Sequence, residues 1–355
     1  MNVMKKVTIS DLSEMTGISR STVSRVLNNN PNVHTDIKRQ VEEAIEKSGY
    51  QRKAAKLKLT APVTSVNIAT TVPVGSPDQF YTIMMNEFQT QLRDMGIEPK
   101  LTLINGKIDQ QLILKKLESA ESVLMLGPEL PEVAHKLADQ EKPIVLVNGY
   151  DDKMRLSSVS LDYELGGELA AKHLIEYGHK KLAMLTAQTR PSIRKRTYGF
   201  ERKAKELGAE SVQIIDIIDM CNKLDHKELA QKIMVGKAGA DFGASLILPE
   251  LLDSGMLDDA TAIFCLCDRT AITLIEELDN RGINVPDDVS VIGFDNLSIS
   301  SMVTPTLSSI GGEISYMVKS TIDALFHEFN NTSDIATRIN IGVQLYSRDS
   351  VKKLE

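Results

Sequence analysis

The 355-residue chain contains no tryptophan, and its aromatic residues make up 5% of the total. It opens without the apolar segment of a signal peptide, and no run of about 18 apolar residues occurs anywhere. We therefore expect neither secretion nor a membrane span, and a cytoplasmic protein. Any aromatic surface that packs against a ring-shaped ligand must come from phenylalanine or tyrosine.

Cysteine is also scarce. Cys221, Cys265 and Cys267 are odd in number and match no metal-ligand spacing. Cys265 and Cys267 alternate along an apolar run, which is typical of one face of a buried strand, and we interpret all three as reduced thiols. The sequence has neither a glycine-rich phosphate loop nor a nucleophile elbow. We expect a binding protein that is not an enzyme, with no cofactor and no metal.

Charge is unevenly distributed along the chain. The formal net charge is −7, but residues 1–60 hold eleven basic and six acidic residues, which is a net charge of +5. The remaining 295 residues therefore carry −12. A basic segment attracts phosphates and an acidic body is repelled by DNA, so contact with nucleic acid should be confined to the first 60 residues.

Residues 7–49 contain three short amphipathic segments. Thr8 opens the first segment, with Asp11 three residues on as a shortened capping box. Gly17 supplies a tight turn, and Ser19 caps the second segment. The predicted inward faces are Ile9, Leu12 and Met15, then Val23, Val26 and Leu27, then Ile37, Val41, Ala44 and Ile45. Two short helices joined by a glycine-containing turn form the helix-turn-helix pattern.

The second helix carries basic and hydroxyl side chains near its N-terminus, the end that enters the major groove in this motif. Arginine can bind guanine through two hydrogen bonds there, and serine or threonine can contact a base or a phosphate. An ordinary helical bundle with solvated basic residues is the alternative interpretation. The candidate DNA-binding residues are Thr8, Ser19, Arg20, Ser21, Thr22, Ser24, Arg25 and Asn28.

A longer pattern runs through the same segment. It consists of Thr8-Ile9, Asp11-Leu12, Gly17-Ile18-Ser19 and Ser21-Thr22-Val23-Ser24-Arg25-Val26-Leu27-Asn28. This pattern resembles the N-terminal signature of the LacI/GalR family of transcriptional repressors. The resemblance implies a protein that reads double-stranded operator DNA. A homodimer is expected, because the two-fold symmetry of such proteins matches that of two operator half-sites.

Residues 51–62 join this segment to the rest of the chain. A weak helical pattern, too short to persist alone in water, is formed by Ala54, Ala55, Leu57 and Leu59. The family resemblance implies a hinge helix that pairs with the hinge of a second copy and wedges Leu59 into the minor groove. Lys53 and Lys56 are candidates for phosphate contact. The basic residues depart from the usual family pattern, and a flexible basic linker is the alternative.

From residue 63 onward, apolar strand patterns alternate with amphipathic helix patterns, and the alternation starts again near residue 163. Such alternation predicts parallel sheets covered on both faces. Two units in series predict two α/β subdomains that face each other across a cleft, where ligands bind at the carboxyl ends of the strands. Landmarks such as Gly178-His179-Lys180-Lys181 resemble the periplasmic-binding-protein-like core of the same family, which residues 208–260 fit least.

The predicted fold class is therefore α/β, with an N-terminal helix-turn-helix headpiece joined to a two-subdomain core with parallel sheets. We expect a DNA-binding domain at residues 1–50, a hinge at 51–62, and an effector-binding and dimerisation core at 63–350. Within the core, the first subdomain is expected at 63–160 and 306–335. The second is expected at 161–305 and 336–350.

Two charged residues are candidates for the effector site. Arg196 lies early in a predicted helix, in the run Arg-Thr-Tyr-Gly-Phe, and Asp295 ends the run Val-Ile-Gly-Phe-Asp. The family resemblance implies that both bind ligand oxygens, and a surface arginine and a turn cap are the alternatives. For Asp268, capping of the following helix is a sufficient explanation. Cys267 stands where the family usually has asparagine, so we expect an uncommon effector.

Three further candidates lie where the family contacts ligand on the first subdomain. Phe80 and Tyr81 follow the first strand of the predicted core, and Asn148 ends the fourth. Phe242 is the candidate aromatic surface on the second subdomain, although a core position explains it equally well. The predicted effector-binding residues are thus Phe80, Tyr81, Asn148, Arg196, Phe242 and Asp295.

These features predict an allosteric regulator of transcription, expected to repress a carbohydrate-utilisation operon, with a small sugar-like effector in its cleft. We favour a sugar over a purine because no cationic cluster for a nucleotide is evident in the sequence. Residues 71–79 resemble an extension of family members that respond to galactosides. The alternatives are a corepressor-type regulator that binds a purine or nucleoside and a solute-binding protein, which the DNA-binding head argues against.

Overall fold

A computed structural model describes residues 9–19, 22–23, 26, 35–48, 63–70, 79–104, 110–127, 130–330 and 335–354. The chain divides into two compact units, Met1–Thr60 and Ala61–Glu355. No helix of the described residues is both long enough and apolar enough to cross a membrane.

The first unit is helical. It contains α1 (Ile9–Thr16), helical residues at 22, 23 and 26, and α2 (Thr35–Ser48). Apart from Met15, the predicted inward positions whose side chains are described are confirmed, because one small core is formed by Leu12, Val23, Val26, Val41 and Ala44. Ile18, Ile37 and Ile45 pack against this core.

Met15 is an error in the predicted inward face of α1. Its side chain is 55% exposed, whereas Leu12 is fully buried. The helix ends at Thr16, and Gly17, with a φ of +66°, turns the chain back toward the core. Ile18 then packs against the core, and the last turn of the helix is left at the surface.

The predicted cap at Ser19 is confirmed. Its hydroxyl oxygen accepts a hydrogen bond from the Thr22 backbone N–H at 3.3 Å, and its carbonyl oxygen accepts from Thr22 and Val23 N–H at 2.9 Å each. A residue that satisfies the first free N–H groups in this way fixes the start of the second helix.

The second unit is α/β, as the alternating pattern predicts. Its strands are β1 (Ser65–Thr70), β2 (Glu98–Leu103), β3 (Val123–Leu126), β4 (Ile144–Val147), β5 (Ser157–Leu161), β6 (Lys181–Thr186), β7 (Ser211–Asp216), β8 (Ala262–Cys265), β9 (Ser290–Phe294), β10 (Ser308–Gly311), β11 (Arg338–Ile341) and β12 (Gln344–Tyr346). The central strands are buried along their whole length, as expected of parallel strands with helices on both faces.

The helices follow the strands. They are α3 (Gln79–Asp94), α4 (Gln110–Leu117), α5 (Pro131–Ala138), α6 (Tyr163–Glu176), α7 (Pro191–Glu206), α8 (Ile217–Lys223), α9 (Lys227–Met234), α10 (Ala244–Asp253), α11 (Asp268–Asn280) and α12 (Ile314–Asn330). A short 3-10 helix covers Ser298–Ser301.

The strands form two separate sheets of six described strands each. The first has the order β11-β5-β4-β3-β1-β2 and is parallel throughout. The second has the order β12-β10-β9-β8-β6-β7 and is parallel except for β12, which pairs antiparallel with β10. Two sheets in one unit give the two subdomains that the repeated pattern predicts.

The chain crosses between the sheets after β5, between β10 and β11, and between β11 and β12. Residues 306–335 were predicted to belong to the first subdomain and residues 336–350 to the second. Both assignments are wrong for one strand each, because β10 belongs to the second sheet and β11 to the first. Both strands are only four residues long. Their mixed sequences, Ser-Ser-Ile-Gly and Arg-Ile-Asn-Ile, do not give the continuous apolar run that marks a buried strand.

Two glycines allow α6 and α7 to pack with their backbones close together. A Cβ atom on Gly167 would collide with the Arg196 carbonyl oxygen, and a Cβ atom on Gly199 would collide with the Glu164 carbonyl oxygen. Because backbone atoms cannot move aside as a flexible side chain can, these positions accept only glycine without a shift of the helices. The close approach fixes the position of α7, the helix that carries Arg196.

We predict that Gly199→Ala lowers the melting temperature of the protein. In an open helix the change would stabilise by about 1 kcal/mol. Here the added methyl group overpacks the interface, which costs about 1–3 kcal/mol. Thermal unfolding of the variant and the parent measures the effect. Gly342→Ala is the control, since a Cβ atom there meets nothing within 4 Å. Equal melting temperatures for both variants would contradict the proposed close contact.

Candidate functional site

A pocket of about 520 Å³, part of which is open to solvent, lies where the carboxyl ends of strands from both sheets meet. Ligands in open α/β sheets bind at this edge. The structure brings all six predicted effector-binding residues to the pocket wall. Its lining residues are Phe80, Tyr81, Asn148, Tyr163, Arg190, Ser192, Ile193, Arg196, Ala240, Phe242, Leu266, Cys267, Arg269, Asp295 and Leu297.

Arg196 lies at the centre of the charged wall. Its side chain is 4% exposed, and its guanidinium carbon lies 3.5 Å from the centre of the Phe294 ring and 5.1 Å from that of Tyr163. Burial lowers the pKa of Arg196, and the charge of Asp295 opposes this effect. Its Nε is buried and has no hydrogen-bond partner among the described residues. An unpaired donor in a buried site is costly, and a ligand oxygen would satisfy it.

Asp295 lies in a strained turn that follows β9. Its φ is +103° and that of Asn296 is +49°, values that side-chain-bearing residues rarely adopt. The turn is held because the Asp295 N–H donates to the Ile310 carbonyl at 2.7 Å and the Asn296 N–H donates to the Ser309 hydroxyl at 3.0 Å. Strained residues that the surroundings fix in this way cluster at functional sites.

Asp268 is not the helix cap that its sequence position predicts. Cys267 occupies the cap position of α11 and makes no side-chain cap. The buried Asp268 carboxylate instead accepts hydrogen bonds from the Leu297 N–H at 2.7 Å, the Ser300 hydroxyl at 2.7 Å and the Ser309 hydroxyl at 2.5 Å. Burial raises the pKa of Asp268 to about 6. The carboxylate therefore ties the segment that follows the Asp295 turn to strand β10.

A chain of hydrogen bonds crosses the pocket from one sheet to the other. The Tyr163 hydroxyl donates to Asn148 Oδ1, Asn148 Nδ2 donates to the Tyr81 hydroxyl at 2.8 Å, and Arg190 donates to the same hydroxyl at 2.9 Å. Burial raises the pKa of Tyr163 well above its ordinary value, so this phenol remains a neutral donor. Asn148 adopts a φ of +58°, which aims its amide along this chain.

The aromatic candidates have mixed environments. Phe80 is buried and packs edge-on against Tyr81, with ring centres 5.3 Å apart, so it belongs to both the core and the pocket wall. Phe242 is half-buried with a φ of +58°, and its ring centre lies 5.5 Å from the guanidinium carbon of Arg190. Cys267 adds a neutral surface, because burial raises the pKa of its thiol to about 12.

Sequence reasoning missed Tyr163, Arg190 and Arg269 in this pocket. Arg190 precedes Pro191 at the start of α7, and Arg269 is the second residue of α11. Both arginines follow strands of the second sheet. Because ligands bind at the carboxyl ends of such strands, that position was the sequence signal that could have identified them. The expectation of no cationic cluster is wrong: Arg190, Arg196 and Arg269 line one pocket. They are far apart in the sequence, and the order of the strands brings them together.

The DNA-binding candidates fall mostly outside the described residues. Ser19 is exposed and Thr22 is half-exposed, at the start of the second helix of the first unit. Outside the described residues lie Thr8, Arg20, Ser21, Ser24, Arg25, Asn28, Lys53, Lys56 and Leu59. Contact of any of these residues with DNA stays a prediction.

We predict that the free energy of unfolding of the parent protein falls, relative to that of the Asp268→Asn variant, as pH rises from 4 to 6. The pKa of Asp268 is about 6 in the fold, while an exposed aspartate titrates near 4. Between these values the unfolded chain ionises and the folded one does not, and above pH 6 the full cost of about 3 kcal/mol is present. Urea unfolding of both proteins between pH 4 and 7 measures the difference.

Other groups titrate in both proteins, so only the difference between the two unfolding free energies reports on Asp268. A difference that stays constant with pH would show that the carboxylate is not held in a buried site. A large loss of stability in Asp268→Asn at all pH values would show that the amide cannot accept the three hydrogen bonds.

Comparisons with known proteins agree with this architecture. Residues 8–53 match the family "Bacterial regulatory proteins, lacI family", and residues 171–351 match "Periplasmic binding protein-like domain". The chain is 30% identical to Catabolite control protein A of Priestia megaterium over 316 residues, covering 86% of this chain and 87% of that protein.

Two solved structures have the same fold. The transcriptional regulator CelR in complex with cellobiose matches with a TM-score of 0.66 at 21% identity, covering 97% of this chain and 100% of that one. The lac repressor dimer bound to operator and the anti-inducer ONPF matches with a TM-score of 0.65 at 19% identity, covering 98% and 100%. The chain therefore belongs to the lacI family of bacterial regulatory proteins and is a DNA-binding transcriptional regulator with a ligand-binding core.

Proposed function

We propose that the protein is a repressor of a carbohydrate-utilisation operon, that it acts in the cytoplasm as a homodimer, and that a small polyhydroxylated effector in the pocket controls it. The buried Arg196 Nε without a hydrogen-bond partner is the observation that carries this proposal. The cellobiose bound to CelR and the operator bound to the lac repressor dimer give it support from related proteins.

The polar groups of the pocket suit a sugar frame. The Asp295 carboxylate can accept hydrogen bonds from hydroxyl groups, and the Arg196 guanidinium can donate to hydroxyl or ring oxygens. Phe80 and Phe242 offer apolar surface from the two sides of the pocket, against which the C–H face of a sugar ring can pack.

The two sheets give the pocket a way to control DNA binding. Phe80 and Asn148 meet the effector from the first sheet, and Arg196 and Asp295 meet it from the second. Three crossings of the chain join the sheets and provide the hinge for closure. An effector that gains contacts only when both sides approach shifts the equilibrium toward the closed form by its differential affinity.

The DNA-binding part of the proposal concerns residues 1–62. Residues 1–50 would read an operator half-site through Arg20 and Arg25, with Thr8, Ser19, Thr22 and neighbouring polar side chains on bases or phosphates. Residues 51–62 would form the hinge, with Lys53 and Lys56 on phosphates and Leu59 wedged into the minor groove. Closure of the core would change the distance between the two hinges of a dimer.

We predict that Arg196→Ala and Asp295→Ala bind operator normally but no longer respond to the effector. Each substitution removes a ligand contact that lies within the core and is absent from the DNA-binding unit. The measurement is operator affinity with and without the compound that most raises the melting temperature of the parent, chosen from a panel of sugars and nucleosides.

Arg202→Ala is the matched control for this prediction. Arg202 lies on the same helix as Arg196 but forms an ion pair with Glu168 away from the pocket. The control should respond as the parent does. If Arg196→Ala and Asp295→Ala still respond at the effector concentration that the parent needs, the pocket is not the effector site.

We predict that Arg20→Ala and Arg25→Ala each weaken operator binding by about 1–3 kcal/mol, as expected for loss of a bidentate base contact. The operator is a duplex selected by the parent protein from a random library, and titrations are made at one fixed salt concentration. Lys47→Ala removes an equal charge at the exposed end of α2 and serves as the control. Unchanged affinity in both arginine variants would contradict their role as base readers.

A further inference from the structure

The described pocket wall has an excess of positive charge. Arg190, Arg196 and Arg269 line it, and Asp295 is the one carboxylate among its described lining residues. The nearby Asp268 carboxylate does not compensate for this charge, because it is turned toward Leu297, Ser300 and Ser309. At neutral pH the lining residues therefore carry two more positive than negative charges.

Three arginines elsewhere in the core are paired with carboxylates. Arg155 lies 2.5 Å from Asp139, Arg281 lies 2.5 Å from Asp253, and Arg202 contacts Glu168. Within the described part of the chain, neither Arg196 nor Arg269 takes part in an ion pair. Arg269 is half-buried at the start of α11, so its charge is partly desolvated without a counter-charge. Such an arrangement favours a ligand that supplies the counter-charge.

Residues at the N-termini of two helices line the pocket. Helix α7 begins with Pro191 after Arg190, has no acidic residue in its first turn and has no side-chain cap. Helix α11 begins after Cys267 and also has no side-chain cap. Each terminus carries a partial positive charge and N–H groups that suit an anion. The buried, unpartnered Arg196 Nε in the same pocket shows independently that a hydrogen-bond acceptor is missing there.

We propose that the effector is an anionic sugar derivative: a negatively charged phosphate or carboxylate group on a polyhydroxylated frame. Arg269 and Arg190 neutralise the charged group, and Arg196, Asp295 and Asn148 bind the frame. This assignment rests on the proposed function, since it specifies the class of ligand for the same pocket. A neutral sugar would leave Arg269, which takes part in no ion pair within the described part of the chain, without a counter-charge.

Pairs of compounds that share a sugar ring, one neutral and one carrying an anionic group at C6, test this proposal. Glucose and galactose are compared with their 6-phosphates and with glucuronate and galacturonate, and inorganic phosphate is included alone. Binding to the full chain is measured by calorimetry at two salt concentrations. We expect at least one phosphate or carboxylate derivative to bind about tenfold or more tightly than its neutral parent sugar. Comparison of the phosphate derivatives with the carboxylate derivatives shows which anionic group the pocket binds.

Arg269→Gln should abolish that gain, so that the charged derivative binds no more tightly than its neutral parent sugar. Arg281→Gln removes the same charge from the other end of α11, where Arg281 is paired with Asp253, and should keep the gain. Binding of a neutral sugar at least as tight as that of its charged derivatives would overturn the proposal, as would the absence of binding by every charged compound.

The outcomes separate this proposal from the proposed function. If neutral sugars bind best and Arg196→Ala abolishes that binding, the pocket is the effector site and the charge assignment is wrong. If the bound compounds are insensitive to Arg196→Ala, the effector site itself is misplaced. If inorganic phosphate alone binds as tightly as the sugar derivatives, the frame makes no contribution and the assignment of a sugar derivative fails.

Discussion

The pocket depends on one buried cation, Arg196, whose Nε has no hydrogen-bond acceptor within the described part of the chain. The guanidinium carbon of Arg196 lies over the Phe294 ring, 3.5 Å from its centre, a contact that stabilises the cation but supplies no hydrogen-bond acceptor. Desolvation makes an arginine in this position costly, and the nearby charge of Asp295 offsets part of that cost. A ligand oxygen at Nε would offset more of it. The pocket is thus organised to bind a polar molecule before any effector is present.

Much of the surrounding structure holds Arg196 and Asp295 in position. Gly167 and Gly199 let α6 and α7 approach until their backbones touch, which fixes the helix that carries Arg196. Asp268 collects three hydrogen bonds from the segments beside Asp295 and holds its strained turn. The first sheet contributes Asn148 and Tyr81, whose hydrogen bonds reach Tyr163 and Arg190 across the pocket. In the proposed function, binding and closure would therefore involve the same residues.

Periodicity predicted the two-sheet fold and most of the headpiece core, and the family resemblance implied most of the six residues that the pocket gathers. They failed where the outcome depends on contacts between distant segments. Asp268 has the sequence context of a helix cap, but its carboxylate turns to residues about 30–40 positions away. Arg190 and Arg269 look like surface charges until strand order places them together. Residues 208–260, which fit the family least, form β7 and three helices whose packing no local pattern specifies.

The central claim is that the unpartnered Nε of Arg196 is satisfied by the effector. The most direct test is the distance between Arg196 Nε and the nearest ligand oxygen in a crystal structure of the protein with its tightest-binding sugar derivative. We expect that distance to be about 3 Å, with the guanidinium still stacked on Phe294. A tightly bound ligand that lies outside the pocket, or that leaves Arg196 Nε without an acceptor, would contradict the claim.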